Sequence, residues 1–157
     1  MQIGMVGLGR MGANMARRLA RKGVRVAAHD LSPVARSALE QEIGVTPHAQ
    51  LTALVAALPA PRVVWVMLPS GEITEQALQT LAKLLAKGDV LVDGGNANYK
   101  DSRRRAAWLT EHGLGFVDAG VSGGVWGLDN GYALMLGGAK DAVAKVHPFA
   151  KLLAPAP

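Results

Sequence analysis

The sequence contains no cysteine, which excludes a disulfide framework, a thiolate metal site and a cysteine nucleophile. Aromatic residues make up only 4% of the 157 positions and charged residues 18%. So few aromatics argue against a surface that stacks nucleic-acid bases. Low charge with 50% apolar residues is the composition of a filled core rather than a disordered tail. No apolar run reaches the ~18 residues that span a bilayer. Met1-Gln2-Ile3-Gly4-Met5-Val6 lacks the basic n-region of a signal peptide and moves straight into a strand pattern. His48 and His147 have no acidic residue or second histidine at ligand spacing, so no metal is assigned. One soluble, cytoplasmic domain over 1–157 is the expectation, without membrane or nucleic acid as a partner. The net charge of +5 and a pI near 9.9 suit an anionic ligand.

Short apolar runs alternate with helix-period segments, the pattern of a parallel sheet covered by helices. Strands are predicted at Ile3–Val6, Val24–His29, Arg62–Leu68, Asp89–Asp93, Gly115–Ala119 and Tyr132–Leu136. Helices are predicted at Arg10–Lys22, Pro33–Ile43, Gln50–Leu58, Gly71–Lys87, Asp101–His112 and Asp141–Leu153. Gly120–Gly131 carries five glycines and is predicted to be a loop over a site. The fold class is α/β, a Rossmann-type doubly wound, mostly parallel sheet with helices on both faces. Arg103-Arg104-Arg105 reads as a solvated helix face, Trp65 as sheet core, and the surface around Leu152 and Leu153 as exposed apolar area.

The first strand runs into Gly7-Leu8-Gly9-Arg10-Met11-Gly12, a G-x-G-x-x-G that opens a helix. Gly7 permits a tight turn, Gly9 lets backbone approach a pyrophosphate, and Gly12 lets helix and strand pack closely. The helix N-terminus adds free N–H groups and partial positive charge for the phosphates. Asp30, 21 positions after Gly9, sits at the end of the second strand, close to the roughly 20-residue offset of a ribose-binding carboxylate. A carboxylate there accepts hydrogen bonds from both ribose hydroxyls of NAD and repels the 2′-phosphate of NADP. Leu31, which follows it, offers no guanidinium to that phosphate. NAD is therefore expected to be preferred over NADP. The plainer alternatives are a glycine turn that merely packs and an Asp30 that only caps the turn into the next helix.

Two further segments follow the carboxyl ends of strands, where open α/β sheets bind ligands. Val92-Asp93-Gly94-Gly95-Asn96-Ala97-Asn98-Tyr99 leads into Lys100-Asp101-Ser102-Arg103-Arg104-Arg105, and Asp118-Ala119-Gly120-Val121-Ser122-Gly123-Gly124 leads into Val125-Trp126-Gly127-Leu128. Gly94-Gly95 lets Asn96 present its amide beside a nicotinamide. Ser122-Gly123-Gly124 can aim a hydroxyl and two N–H groups at an anionic or polyhydroxylated substrate. With these motifs the chain resembles 6-phosphogluconate dehydrogenase along essentially its whole length. Asp30 and Val125-Trp126-Gly127 look like the short, NAD-preferring bacterial branch; Val125 stands where longer NADP enzymes tend to have an acidic residue.

The resemblance implies oxidative decarboxylation of 6-phospho-D-gluconate to ribulose 5-phosphate, a pentose phosphate pathway reaction. It implies cofactor contacts from Gly7, Leu8, Gly9, Arg10, Met11, Gly12, Asp30, Leu31, Met67, Leu68, Pro69 and Asn96. It places substrate at Asn96, Ser122, Gly123 and Gly124. The family's lysine base and glutamate acid belong to a large helical part that also builds its homo-oligomer, and no lysine of these 157 residues fits the base. Asn96 is then the one contributor to the chemistry here, and the chain alone is expected to bind NAD with little or no turnover. Two other expectations stand beside this one. A β-hydroxyacid dehydrogenase of the 3-hydroxyisobutyrate type shares the first turn and Ser-Gly-Gly, but usually carries Asp-x-Ser-Thr where this chain has Asp93-Gly94-Gly95-Asn96. The second is a non-catalytic dinucleotide-binding module.

Overall fold

A computed structural model describes all residues, 1–157. Seven strands form one sheet: β1 (Gln2–Val6), β2 (Arg25–His29), β3 (Val45–His48), β4 (Val63–Val66), β5 (Val90–Asp93), β6 (Gly115–Ser122) and β7 (Ala133–Gly138). Their order is β3-β2-β1-β4-β5-β6-β7. All neighbours are parallel except β6 and β7. The helices are α1 (Arg10–Arg21), α2 (Pro33–Ser37), α3 (Leu51–Ala56), α4 (Glu72–Leu84), α5 (Tyr99–Glu111), α6 (Gly127–Asn130) and α7 (Lys140–Leu153).

The strands are apolar throughout because both faces are covered. Ile3, Met5, Trp65, Val92 and Val117 point to one face, where Met15 and Leu19 of α1 and Val146 and Phe149 of α7 complete a core of 24 buried residues. Val6, Val64, Val66, Leu91 and Phe116 point to the other and meet Leu54, Leu78, Leu81 and Leu109 from α3, α4 and α5. The strand order reverses at β1, which pairs with both β2 and β4. That reversal places the Gly7–Gly12 turn at the crevice where doubly wound sheets bind ligands.

Several expectations need correction. The helix predicted through Ile43 stops at Ser37, where the Leu39 and Glu40 N–H groups turn to the carbonyls three residues back, Arg36 and Ser37, and Leu39 is fully buried. The chain then returns as β3, which no prediction contained: Val45-Thr46-Pro47-His48 is too short to show a period, and its proline is tolerated because β3 is an edge strand. Gly120–Gly131 is not one loop. β6 continues to Ser122, a 3₁₀ turn covers Gly124–Trp126, and α6 follows. The antiparallel partner β7 extends β6, pairing Ser122 with Ala133. Leu153 is fully buried in the core; exposed apolar side chains include instead Val125, Trp126 and Met135, with Leu31, Val34 and Ile43 on the α2 side. Trp65 is in the core as expected.

At the amino end of the sheet, away from the crevice, Asp89 is fully buried. Its Oδ1 accepts from the Arg62 backbone N–H at 2.6 Å, and its Oδ2 from the Ala86 N–H at 2.8 Å and the Arg62 guanidinium at 3.1 Å. Removing the carboxylate would strand three donors. Asp89→Ala should therefore lose about 3 kcal/mol. In a chain of this size that is a fall of roughly 6–12 °C in thermal midpoint, read by calorimetry.

Candidate functional site

The glycine turn has the geometry its spacing suggests, with separate reasons for each glycine. Gly7 lies at φ +97°, and a side chain there would run into the Met67 carbonyl. Gly12 lies against the Gly7 carbonyl, so a Cβ has no room. Gly9 differs. It is the N-cap of α1 with φ −62°, and a Cβ built on it would meet no protein atom within 4 Å. Neither packing nor backbone conformation requires glycine at position 9. No side chain caps α1, and its first-turn N–H groups have no intrahelical partner. Arg10 and Met11 open this turn, with Arg10 exposed.

Asp30 is the residue after β2. Its Oδ2 accepts from the Leu8 N–H at 2.8 Å, tying the turn to the end of the second strand, and its Oδ1 accepts from the Ser32 N–H at 2.9 Å. The capping role is thus real. Each carboxyl oxygen still has a lone pair free to accept from a further hydroxyl or N–H group. Arg36, unnoticed in the sequence, donates to the Asp30 and Leu31 carbonyls at 2.7 and 3.1 Å. A guanidinium is therefore present beside Leu31, brought there by one turn of α2. A cavity of about 300 Å³ next to the turn is lined by Gly7, Asp30, Leu31, Leu68, Ile73 and Gln76, among others. Of the other groove residues, Pro69 accepts from the buried Thr74 hydroxyl at 2.7 Å, and Met67 contacts Gly7 and packs where a Gly94 side chain would stand.

At the end of β2, beside β3, His29 is buried and its Nδ1 lies 2.9 Å from the His48 carbonyl. Burial, and then the neighbouring His29, hold the His48 imidazole below its ordinary pKa.

The loop after β5 is fixed by charge. Asp93 is fully buried; its Oδ1 accepts from the Gly95 N–H at 2.9 Å and its Oδ2 from Arg105 at 2.8 Å. Arg105, only 1% exposed, also donates to Glu75 at 2.9 Å, and Arg104 grips the same carboxylate through two bonds of 2.8 and 2.9 Å. The Arg103–Arg105 run is thus not a wholly solvated face: Arg105 points inward as the counter-ion of the loop. The loop delivers Asn96 in the left-handed region at φ +59°. On the neighbouring strand, Ser122 ends β6, Gly123 follows at φ 165° and ψ −18°, and Gly124 starts the 3₁₀ turn at φ +52°. Asn96 and Ser122–Gly124 thus follow adjacent parallel strands paired at Asp93 and Asp118. A separate cavity of about 610 Å³ lies between α5 and α7 and includes Ser102, Arg103, Asp118 and Lys145. Burial, with Asp93 nearby, raises the Asp118 carboxyl above the usual range.

The sequence matches the family described as the NAD binding domain of 6-phosphogluconate dehydrogenase over residues 2–155. The chain belongs to that family. It is 37% identical over 150 residues to the NAD(+)-dependent, decarboxylating 6-phosphogluconate dehydrogenase of Bacillus subtilis, covering 94% of this chain and 32% of the relative. It is 36% identical over 151 residues to the NADP(+)-dependent enzyme of the same organism, again covering 94% and 32%. The chain therefore spans about a third of the length of these relatives. Among solved structures, Plasmodium falciparum 6-phosphogluconate dehydrogenase superposes with a TM-score of 0.91 at 27% identity, over 99% of this chain and 34% of that one. Mycobacterium tuberculosis 3-hydroxyisobutyrate dehydrogenase gives 0.88 at 30% identity, over 98% and 52%. The fold and the NAD(P)-binding class are shared; relatives of both cofactor types leave the choice between NAD and NADP to the residues themselves.

The Arg104 hydrogen bonds, with Arg105 adding to them, hold the Glu75 pKa at about 2 against an ordinary 4.5. A depressed carboxylate contributes stability that is complete above the unfolded pKa and is lost as pH falls through the folded one. Wild-type stability should therefore decline between pH 4.5 and 2 more steeply than that of Glu75→Gln, measured as thermal midpoints in a pH series.

Proposed function

We propose that this domain holds the dinucleotide of a decarboxylating 6-phosphogluconate dehydrogenase, with NAD preferred over NADP. The observation that carries the cofactor site is Gly9: a glycine that the fold does not need, beside uncapped N–H groups, is accounted for by a ligand reaching the backbone. In this reading the pyrophosphate lies on Gly7–Gly12 and the adenosine end in the adjoining cavity, with Leu31, Leu68 and Ile73 along its apolar wall. Asp30 accepts the ribose hydroxyls. Met67-Leu68-Pro69 guides the cofactor toward Asn96, whose amide meets both nicotinamide ribose and substrate. Ser122, Gly123 and Gly124 hold the sugar acid.

The cofactor supplies hydride acceptance. The residues of this chain orient it and place the substrate beside it. The preference for NAD rests on Asp30, a fixed carboxylate that opposes a 2′-phosphate. Arg36 already serves two carbonyls, which limits what it can offer a phosphate. No lysine of the sequence matches the family's base, so binding without appreciable turnover is proposed for these 157 residues, and activity for a protein that adds the family's helical part, as a cytoplasmic homo-oligomer.

Two variants separate binding from packing. Gly9→Ala should keep its thermal midpoint within about 2 °C, since Ala for Gly at an N-cap costs little more than ~0.5 kcal/mol. It should weaken NAD at least about tenfold by calorimetry. Gly12→Ala should instead lose stability. A Gly9→Ala protein that binds NAD normally would remove the pyrophosphate assignment.

Cofactor choice is tested at Asp30. Asp30→Ala should weaken NAD by about tenfold and leave NADP unchanged or tighter; equal loss for both would overturn the ribose role. Titrating 6-phosphogluconate and 3-hydroxyisobutyrate against the NAD-loaded domain checks the substrate, with the first expected to bind.

A further inference from the structure

Arg18 is a charged residue inside the protein with no carboxylate partner. It lies on α1, only 6% exposed. Its Nε donates to the Leu152 carbonyl at 3.1 Å, one terminal nitrogen to Leu128 and Asp129 at 3.1 and 3.3 Å, and the other to Ala154 at 2.8 Å. Leu128 and Asp129 are the middle residues of the single-turn α6, and Leu152 and Ala154 flank Leu153, the last residue of α7. Carbonyls there lack intrahelical partners, and those of α7 carry the negative end of its dipole. A single planar guanidinium therefore replaces the missing donors of two helix ends at once.

The same segment is shaped from the other side by Tyr132. Its ring is fully buried, and its backbone N–H donates to Leu153 at 2.8 Å. A Cβ on Gly123 would come within 2.8 Å of the ring, and one on Gly127 would overlap it. The chain from Gly123 to Gly131 thus wraps an aromatic post, and Arg18 fixes its carbonyl end to α1. The helix so fixed is the one whose N-terminus forms the glycine turn, nine residues before Arg18 at Gly9.

We propose that Arg18 is a positioning residue that sets the Ser122–Gly124 segment at a fixed place relative to the phosphate-binding end of α1. A buried cation is costly, and apolar packing would join α1 to α7 more cheaply. What the guanidinium adds is the relative geometry of carbonyls from two different helices. Lysine, with a compact ammonium, cannot span the same four acceptors. The proposal rests on the assignment of substrate to Ser122–Gly124 made above, and the experiment separates the two.

Arg18→Met and Arg18→Lys are compared with the parent chain by amide hydrogen exchange and by calorimetry with NAD and with 6-phosphogluconate in saturating NAD. Exchange over residues 123–131 should rise about tenfold in Arg18→Met while α3 and α5 hold their protection. NAD affinity should stay within about twofold, because the turn is untouched, while 6-phosphogluconate weakens about tenfold. Arg18→Lys should fall between, and decides the matter if the methionine variant does not fold. Exchange rising evenly over the whole chain, or unchanged at 123–131, would overturn the positioning role. A parent domain that binds NAD but not 6-phosphogluconate would overturn the substrate assignment, leaving the exchange pattern to judge Arg18 alone.

Discussion

The close approach of α1 to the end of β1 is the constraint on which the crevice depends. The helix can begin where it does because Gly12 offers no side chain to the Gly7 carbonyl, and Gly7 none to Met67. This contact sits where β1 pairs with strands on both sides, so the chain leaves the sheet in opposite directions around it. Helix N–H groups, the end of β2 and the end of β4 then converge on one space. The Leu8–Asp30 hydrogen bond closes the arrangement by joining the turn to the second strand.

Charge is used inside this domain mainly to fix loops. Asp89 gathers donors at the amino end of the sheet, and Asp93, Arg105 and Glu75 secure the loop that carries Asn96 at the other. Each carboxylate is satisfied by more than one donor, which offsets the desolvation of burying it. Arg18 applies the same economy to carbonyls. The result is a sheet whose apolar faces supply cohesion, while a few buried ions define where several of its loops lie.

Much of this was legible in the residues. The glycine turn could be read because its spacing, the strand before it and the acidic residue after β2 are all local in sequence. Trp65 declared itself by lying in a continuous apolar run. β3 did not, since four residues with a proline have no period and gain their place only by pairing with β2. The glycines after Gly120 suggested a loop, whereas two of them make room for Tyr132, a residue whose position no local pattern discloses. Arg105 looked like its neighbours on a charged helix; a one-residue step of about 100° around the helix, at 3.6 residues per turn, turns it inward.

The sequence by itself determined the alternation of strands and helices apart from β3 and α6, the glycine turn, the acidic residue after β2 and the family, because each is encoded in short-range spacing. Tertiary structure alone decided which charges are buried, that Arg36 stands beside Asp30, and that Arg18 joins the ends of α6 and α7. Those pairings link residues between 6 and 136 positions apart. The longest form only once the sheet has brought its helices together, and their strength comes from the low dielectric that folding creates.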